Sequence, residues 1–177
     1  MLTTPEKTQF PRLLDPRKFA QKGVQLEGFI AAGDMPRLAG LLLNKESELQ
    51  AVVEFDMDDQ RLRTIVGSAK GIVQVSCQRC LEAVDYSLEA EFNLAIVWDE
   101  EKAKKLPKSI DPLILPEGPA DIYSIIEDEL LLSLPMVTYH KENCIEKTVF
   151  GEDVETDIEE VKNPFQILEQ LKGSPKS

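Results

Sequence analysis

The sequence predicts an α+β domain: a mainly antiparallel sheet packed by a central helix, with an irregular N-terminal arm, a mobile acidic segment and a short C-terminal helix. Three observations carry this prediction. From Glu48 to Ile96, apolar and polar residues alternate with tight connections, as consecutive half-buried strands require. From Ile122 to Leu134, apolar residues recur instead at helical spacing. Finally, 177 residues, 42% hydrophobic and 29% charged, are enough to bury a core without disulfide staples.

Residues 1–22 read as the irregular arm, because prolines are mixed with Lys7, Arg12, Arg17, Lys18 and Lys22. Residues 23–150 read as one α+β domain and 151–177 as an acidic flexible segment with a closing helix. Val24 to Ile30 is a first strand. Asp34 stands before Met35 and Pro36 as an N-cap with proline in the first turn, opening a helix of about nine residues over Leu38, Leu41 and Leu42. In the next strand Leu49, Ala51, Val53, Phe55 and Met57 share one face. Asp58, Asp59 and Gln60 supply a turn, and alternation resumes at Leu62, Thr64 and Val66 until Gly67 and Ser68, read as a break. A third strand is expected at Ile72 to Cys77, and a fourth after Ala83 with Val84, Tyr86, Leu88, Ala90, Phe92, Leu94 and Ile96 on one face.

Asp99 to Lys108, rich in acids and lysines and ending near Pro107, reads as a solvated loop. Asp121 caps a helix whose Ile122, Ile125, Ile126, Leu130 and Leu134 form one stripe, stopped by Pro135, and this helix is the natural lid for the sheet. Six acids between 152 and 160 leave little to bury there, and Asn163 and Pro164 look like the start of a closing helix with Phe165, Ile167, Leu168 and Leu171.

The net charge of −12 excludes a large basic face for nucleic acid. Leu130 to Tyr139, the longest uncharged stretch near the middle, holds ten residues and a proline, far from the roughly 20 that a membrane span needs. The first residues lack the apolar core of a secretory signal, so a cytoplasmic protein is expected.

All three cysteines and the single histidine fall into two ligand-spaced pairs, Cys77-x-x-Cys80 and His140-x3-Cys144. Three thiolates and an imidazole form a closed, structural zinc set with no coordination position left for water. Two other readings stay open: reduced thiols at a hairpin tip beside an exposed histidine, and a redox dithiol. The dithiol fits less well, since a redox C-x-x-C normally opens a helix and this one lies in a strand pattern.

No phosphate-binding glycine loop, H-E-x-x-H helix or nucleophile elbow is present. Glu127, Asp128 and Glu129 fan out around a helix and read as solvating or capping groups. Arg12, Arg17, Lys18, Arg61, Arg63 and Arg79, with Lys70, are candidate contacts for RNA or a partner, against a reading as scattered solvated charges. The acidic balance favours a strongly basic partner, such as a ribosomal protein, over direct RNA readout.

Leu14-Asp15-Pro16-Arg17, Cys77-Gln78-Arg79-Cys80-Leu81, the run from Ile126 through Glu127-Asp128-Glu129 to Pro135 followed by His140 and Cys144, and Asn163-Pro164-Phe165 together resemble the bacterial YceD family over nearly the whole chain. The resemblance implies a non-enzymatic accessory factor in ribosome biogenesis, supporting synthesis, processing or accumulation of 23S rRNA, with a large-subunit ribosomal protein or pre-ribosomal particle as partner. The alternative is an RNA-processing enzyme, a metal-dependent nuclease using clustered carboxylates. Some relatives carry two cysteines where this chain has His140 and Cys144, an exchange that zinc tolerates.

Overall fold

The computed structural model describes residues 8–145, so the acidic stretch and closing helix expected after 151 lie outside the described residues. In chain order the elements are β1 (Leu13–Leu14), α1 (Pro16–Lys22), β2 (Val24–Ala31), a 3-10 turn (Ala32–Asp34), α2 (Pro36–Ala39), β3 (Glu48–Met57), β4 (Arg63–Ser76), β5 (Ala83–Val97), α3 (Glu100–Ala103), β6 (Asp111–Ile114), β7 (Ala120–Asp121) and α4 (Ile122–Ser133). The main sheet has the order β2-β3-β4-β5-β6, antiparallel except for the parallel pair β5-β6, and β1 pairs with β7 in a separate two-stranded piece.

One face of the sheet is the core. Ile30, Leu49, Val53, Phe55, Ile65 and Leu88 are almost wholly buried there. Helix α4 closes over β5 with Ile122, Ile126 and Leu130, while α1 packs on β3 and β4. Each such side chain contributes about 1.5–3 kcal/mol by leaving water. Asp121 caps α4 by accepting from the backbone N–H groups of Tyr123 and Ser124, as expected. No helix among the described residues is long and apolar enough to cross a membrane.

Four elements differ from the sequence reading. The end of the expected irregular arm is a helix: Asp15 accepts from the N–H groups of Arg17 and Lys18, Pro16 occupies the first turn, and Gly23 ends the helix with φ +60°. Phe10 and Leu14 beside it are buried. The expected break at Gly67 and Ser68 is absent, and β4 runs unbroken through it. There glycine serves close approach, not turning, since a Cβ on Gly67 would stand 2.5 Å from Phe92 Cζ and one on Gly71 2.6 Å from Leu49 Cδ2. The loop after Asp99 contains the short exposed helix α3, capped by Asp99, and leads into β6, whose Pro112 is tolerated on an edge strand.

The fourth difference is α2, which has four residues, not nine, and no side-chain cap from Asp34. Its cap comes from α4. The buried Glu127 carboxylate accepts from the backbone N–H groups of Arg37 (2.7 Å) and Leu38 (3.0 Å), and its second oxygen accepts from Arg37 Nε (2.9 Å). The Arg37 guanidinium also reaches Asp128 and the Ser124 carbonyl. A carboxylate placed at orphan helix N–H groups satisfies donors that α2 cannot satisfy itself.

Removing that carboxylate leaves the buried Leu38 N–H and the part-buried Arg37 N–H without their acceptor and takes one of three acceptors from the guanidinium. Glu127→Ala is therefore expected to cost about 3 kcal/mol in urea unfolding. Asp128→Asn, at a mostly exposed position, is expected to cost less than about 1 kcal/mol.

Candidate metal centre

The β4–β5 register ends at Ser76 opposite Ala83, which leaves residues 77–82 as the hairpin tip. Within it Cys77 N–H donates to the Glu82 carbonyl (2.8 Å) and Leu81 N–H to the Cys77 carbonyl (2.8 Å). Leu81 takes φ +65°, a left-handed conformation uncommon for a branched side chain. The tight turn brings the two sulfurs of Cys77-x-x-Cys80 to one side.

Pro135 ends α4 and sends the chain back over this tip. Gln78 N–H donates to the Thr138 carbonyl (2.8 Å), and Thr138 Oγ1 donates to the Ser76 carbonyl (2.8 Å). The Arg79 guanidinium lies 5.2 Å from the centre of the Tyr139 ring and donates to the Glu142 carbonyl and Asn143 Oδ1. These contacts deliver His140 and Cys144 to the two cysteines.

Cys77 Sγ stands 3.7 Å from Cys144 Sγ, and Cys80 Sγ stands 3.4 Å from His140 Nδ1. All four donor atoms lie within 4.8 Å of one another. A tetrahedral zinc at about 2.3 Å from sulfur and 2.0–2.1 Å from nitrogen gives donor separations of roughly 3.5–3.8 Å, so the set can close on one ion with small adjustments. His140 Nε2 faces the Ala83 carbonyl at 3.1 Å. A proton on Nε2 donates there and leaves the Nδ1 lone pair facing the sulfurs, the orienting contact that metal-bound imidazoles usually have.

The electrostatics suit a cation. Burial pushes the Cys77 thiol up, but the backbone N–H groups of Cys80, Arg79 and His140 outweigh it and bring the thiol down to about 5. The Glu82 N–H favours the Cys80 thiolate, yet burial and the neighbouring Cys77 and Cys144 sulfurs hold that thiol above its ordinary value. Cys144 and Cys77 draw a proton onto His140 and raise it. The unmetallated cluster thus holds protons that an incoming ion displaces. No disulfide joins the three cysteines. The C-x-x-C lies in a hairpin turn and not at a helix N-terminus, so the N–H groups of the turn and of His140, and no helix dipole, favour the Cys77 thiolate.

Among the described residues this is the one group of His, Cys, Asp or Glu donors able to converge on an ion. Glu127 and Asp128 are engaged by Arg37. Glu129 has its carboxyl raised by burial and by nearby Asp111 and Asp128.

Three of the basic candidates share one hollow. Arg17, Lys18 and Arg63 line one hollow with Trp98, where the Arg17 guanidinium stacks 3.8 Å from the indole and donates to the Leu115 and Pro116 carbonyls. Lys18 pairs with Asp15, and Arg12 pairs with Asp121 near Tyr123. Arg61 lies on the β3–β4 turn, Lys70 on the exposed face of β4, and Arg79 at the metal corner. Sequence reasoning missed the supporting roles of Thr138, Tyr139 and Asn143; their adjacency to His140 and Cys144 was the only available signal.

A family model described as large ribosomal RNA subunit accumulation protein YceD matches residues 65–172. The chain belongs to the YceD family. The large ribosomal RNA subunit accumulation protein YceD of Haemophilus influenzae is 35% identical over 172 residues, covering 94% of this chain and 98% of that one. No solved structure matches. The YceD match includes both donor pairs and the whole of α4.

Elemental analysis of untagged protein is expected to find one zinc per chain. Cys80→Ser is expected to abolish it and to lower the melting temperature, whereas after chelation the variant and the parent melt together. Zinc retention is expected to fall as pH drops, because Cys80 and His140 both favour their protons above their ordinary values and compete with the ion. Zinc held equally well at acidic and neutral pH contradicts this assignment.

Proposed function

We propose that this chain is a non-enzymatic accessory factor in ribosome biogenesis, supporting synthesis, processing or accumulation of the 23S rRNA of the large subunit in the cytoplasm. The observation that carries the reading is the 35% identity, over 94% of the chain, to a relative named for large ribosomal RNA subunit accumulation. Cys77, Cys80, His140 and Cys144 would hold one structural zinc, with all four tetrahedral positions taken by protein and none open to an attacking water. In this reading zinc fixes the path of the chain between α4 and the β4–β5 hairpin and supplies no chemistry.

The partner in this reading is a large-subunit ribosomal protein or a pre-ribosomal particle. A chain of net charge −12 repels RNA and attracts a cationic protein. Arg61, exposed on the β3–β4 turn, carries no side-chain partner among the described residues and is the basic group most open to a further contact; Arg63 is half-buried with an enclosed, unpartnered Nε, and Arg12, Arg17, Lys18 and Arg79 are engaged within the protein. A nuclease built on the Glu127–Glu129 carboxylates has less support, because Arg37 occupies two of the three.

Depleting the protein is expected to lower 23S relative to 16S rRNA, and the wild-type chain to restore the ratio. An unchanged ratio contradicts the reading. Purified protein is expected to leave precursor 23S rRNA intact in magnesium; cleavage that a chelator stops would establish the nuclease instead. Binding to a basic large-subunit protein is expected to weaken as salt rises.

A further inference from the structure

The second face of the sheet has no covering element among the described residues, and its chemistry is one-sided. Along β2 to β5 it presents the exposed carboxylates Glu27, Glu48, Glu54, Asp56, Asp85, Glu89 and Glu91 and a single cation, Lys70. The pairing register sets them in rows across the strands, Gln25-Glu54-Val66-Asn93 beside Glu27-Val52-Ser68-Glu91. Glu54, Glu89 and Glu91 close no ion pair within the described residues, although Lys70 is the register partner of Glu89, while Arg12, Lys18 and Arg37 are paired with acids elsewhere in the fold.

This face is also shaped. A shallow hollow of about 470 Å³ opens between Gln25, Val52, Glu54, Val66, Glu91 and Asn93. Its floor is apolar, with Val66 45% exposed, and carboxylates stand at its rim. An apolar floor with an anionic rim matches lysine and arginine side chains, which lay alkyl stems on apolar surface and keep their charged ends in contact with water or carboxylates. Glu27 and Glu54 are diagonal neighbours on adjacent strands and Glu89 and Glu91 lie two apart on β5, and a cationic partner relieves the repulsion among them. RNA brought to the same face meets its own charge.

We propose that the exposed face of β2–β5 is a docking surface for a lysine- and arginine-rich segment of a partner protein. The proposal deepens the accessory-factor reading, on which it rests for the source of that partner.

The test titrates full-length protein with a labelled oligolysine peptide at low and high salt. Three exposed charge pairs lost together predict about a tenfold weaker affinity for Glu54→Gln/Glu89→Gln/Glu91→Gln at low salt, with circular dichroism and melting unchanged. The charge-matched variant Glu46→Gln/Glu100→Gln/Glu101→Gln, off this face, is expected to bind as the parent does. Equal affinity for the parent and the first variant overturns the proposal, as does equal weakening by both variants, which would signify net charge alone. The same variants are then assayed for restoring 23S rRNA. If the parent chain restores nothing, the accessory-factor reading fails while the titration still decides the surface. If the parent restores 23S rRNA and the first variant binds peptide normally, the surface fails and the reading stands.

Discussion

The segment leaving α4 must return to the tip of the β4–β5 hairpin, and the meeting of Cys77 and Cys80 with His140 and Cys144 is the constraint on which the rest of the structure turns. Those residues contribute little apolar burial of their own, as Met136, Val137 and Tyr139 between the helix and His140 are exposed. A hydrophobic core therefore does not explain the return. The backbone bond from Gln78 to Thr138, the Thr138 hydroxyl bond to the Ser76 carbonyl, the Arg79 contacts and the four convergent donors do. Because ligand binding and chain closure are the same event in such a site, the ion's affinity is itself folding free energy.

The middle of the same helix is held by a different device. Glu127 accepts from two N–H groups at the start of α2 and from the Arg37 side chain, fixing α4 against the β2–β3 connection. Thus Glu127 in the acidic run, read as solvating or capping groups, is half of an internal capping arrangement. Its sequence neighbours, Leu130 and Pro135, bury the helix and end it. The proposed zinc corner holds the chain just beyond α4 and the Glu127–Arg37 tie holds its middle, while the opposite, acidic face of the sheet beneath has no cover among the described residues.

How much of this was legible depended on whether the cause was local. The fifteen-residue β5 alternates from Ala83 to Leu94, and α4 carries its own cap at Asp121 and its own stop at Pro135, so both could be read directly. The two ligand pairs were legible for a similar reason, since residue type and spacing alone marked them. Features set by distant partners were not. Gly67 and Ser68 look like a break until Phe92 is seen to occupy the space a Cβ on Gly67 would need. The true cap of α2 lies about 90 residues away, so Asp34 was the plausible local candidate and the wrong one. β6 is short, contains Pro112 and pairs in parallel after a crossover, leaving almost no periodic signal. In α1 the local signals Asp15, Pro16 and Gly23 were all present but were outweighed by the proline-rich, basic composition around them.

The most direct test of the central claim is X-ray absorption at the zinc edge of the purified full-length protein. The account predicts a first shell of three sulfurs at about 2.3 Å and one nitrogen at about 2.0–2.1 Å, with no bound water. A shell dominated by oxygen, or one with fewer than three sulfurs, would contradict it.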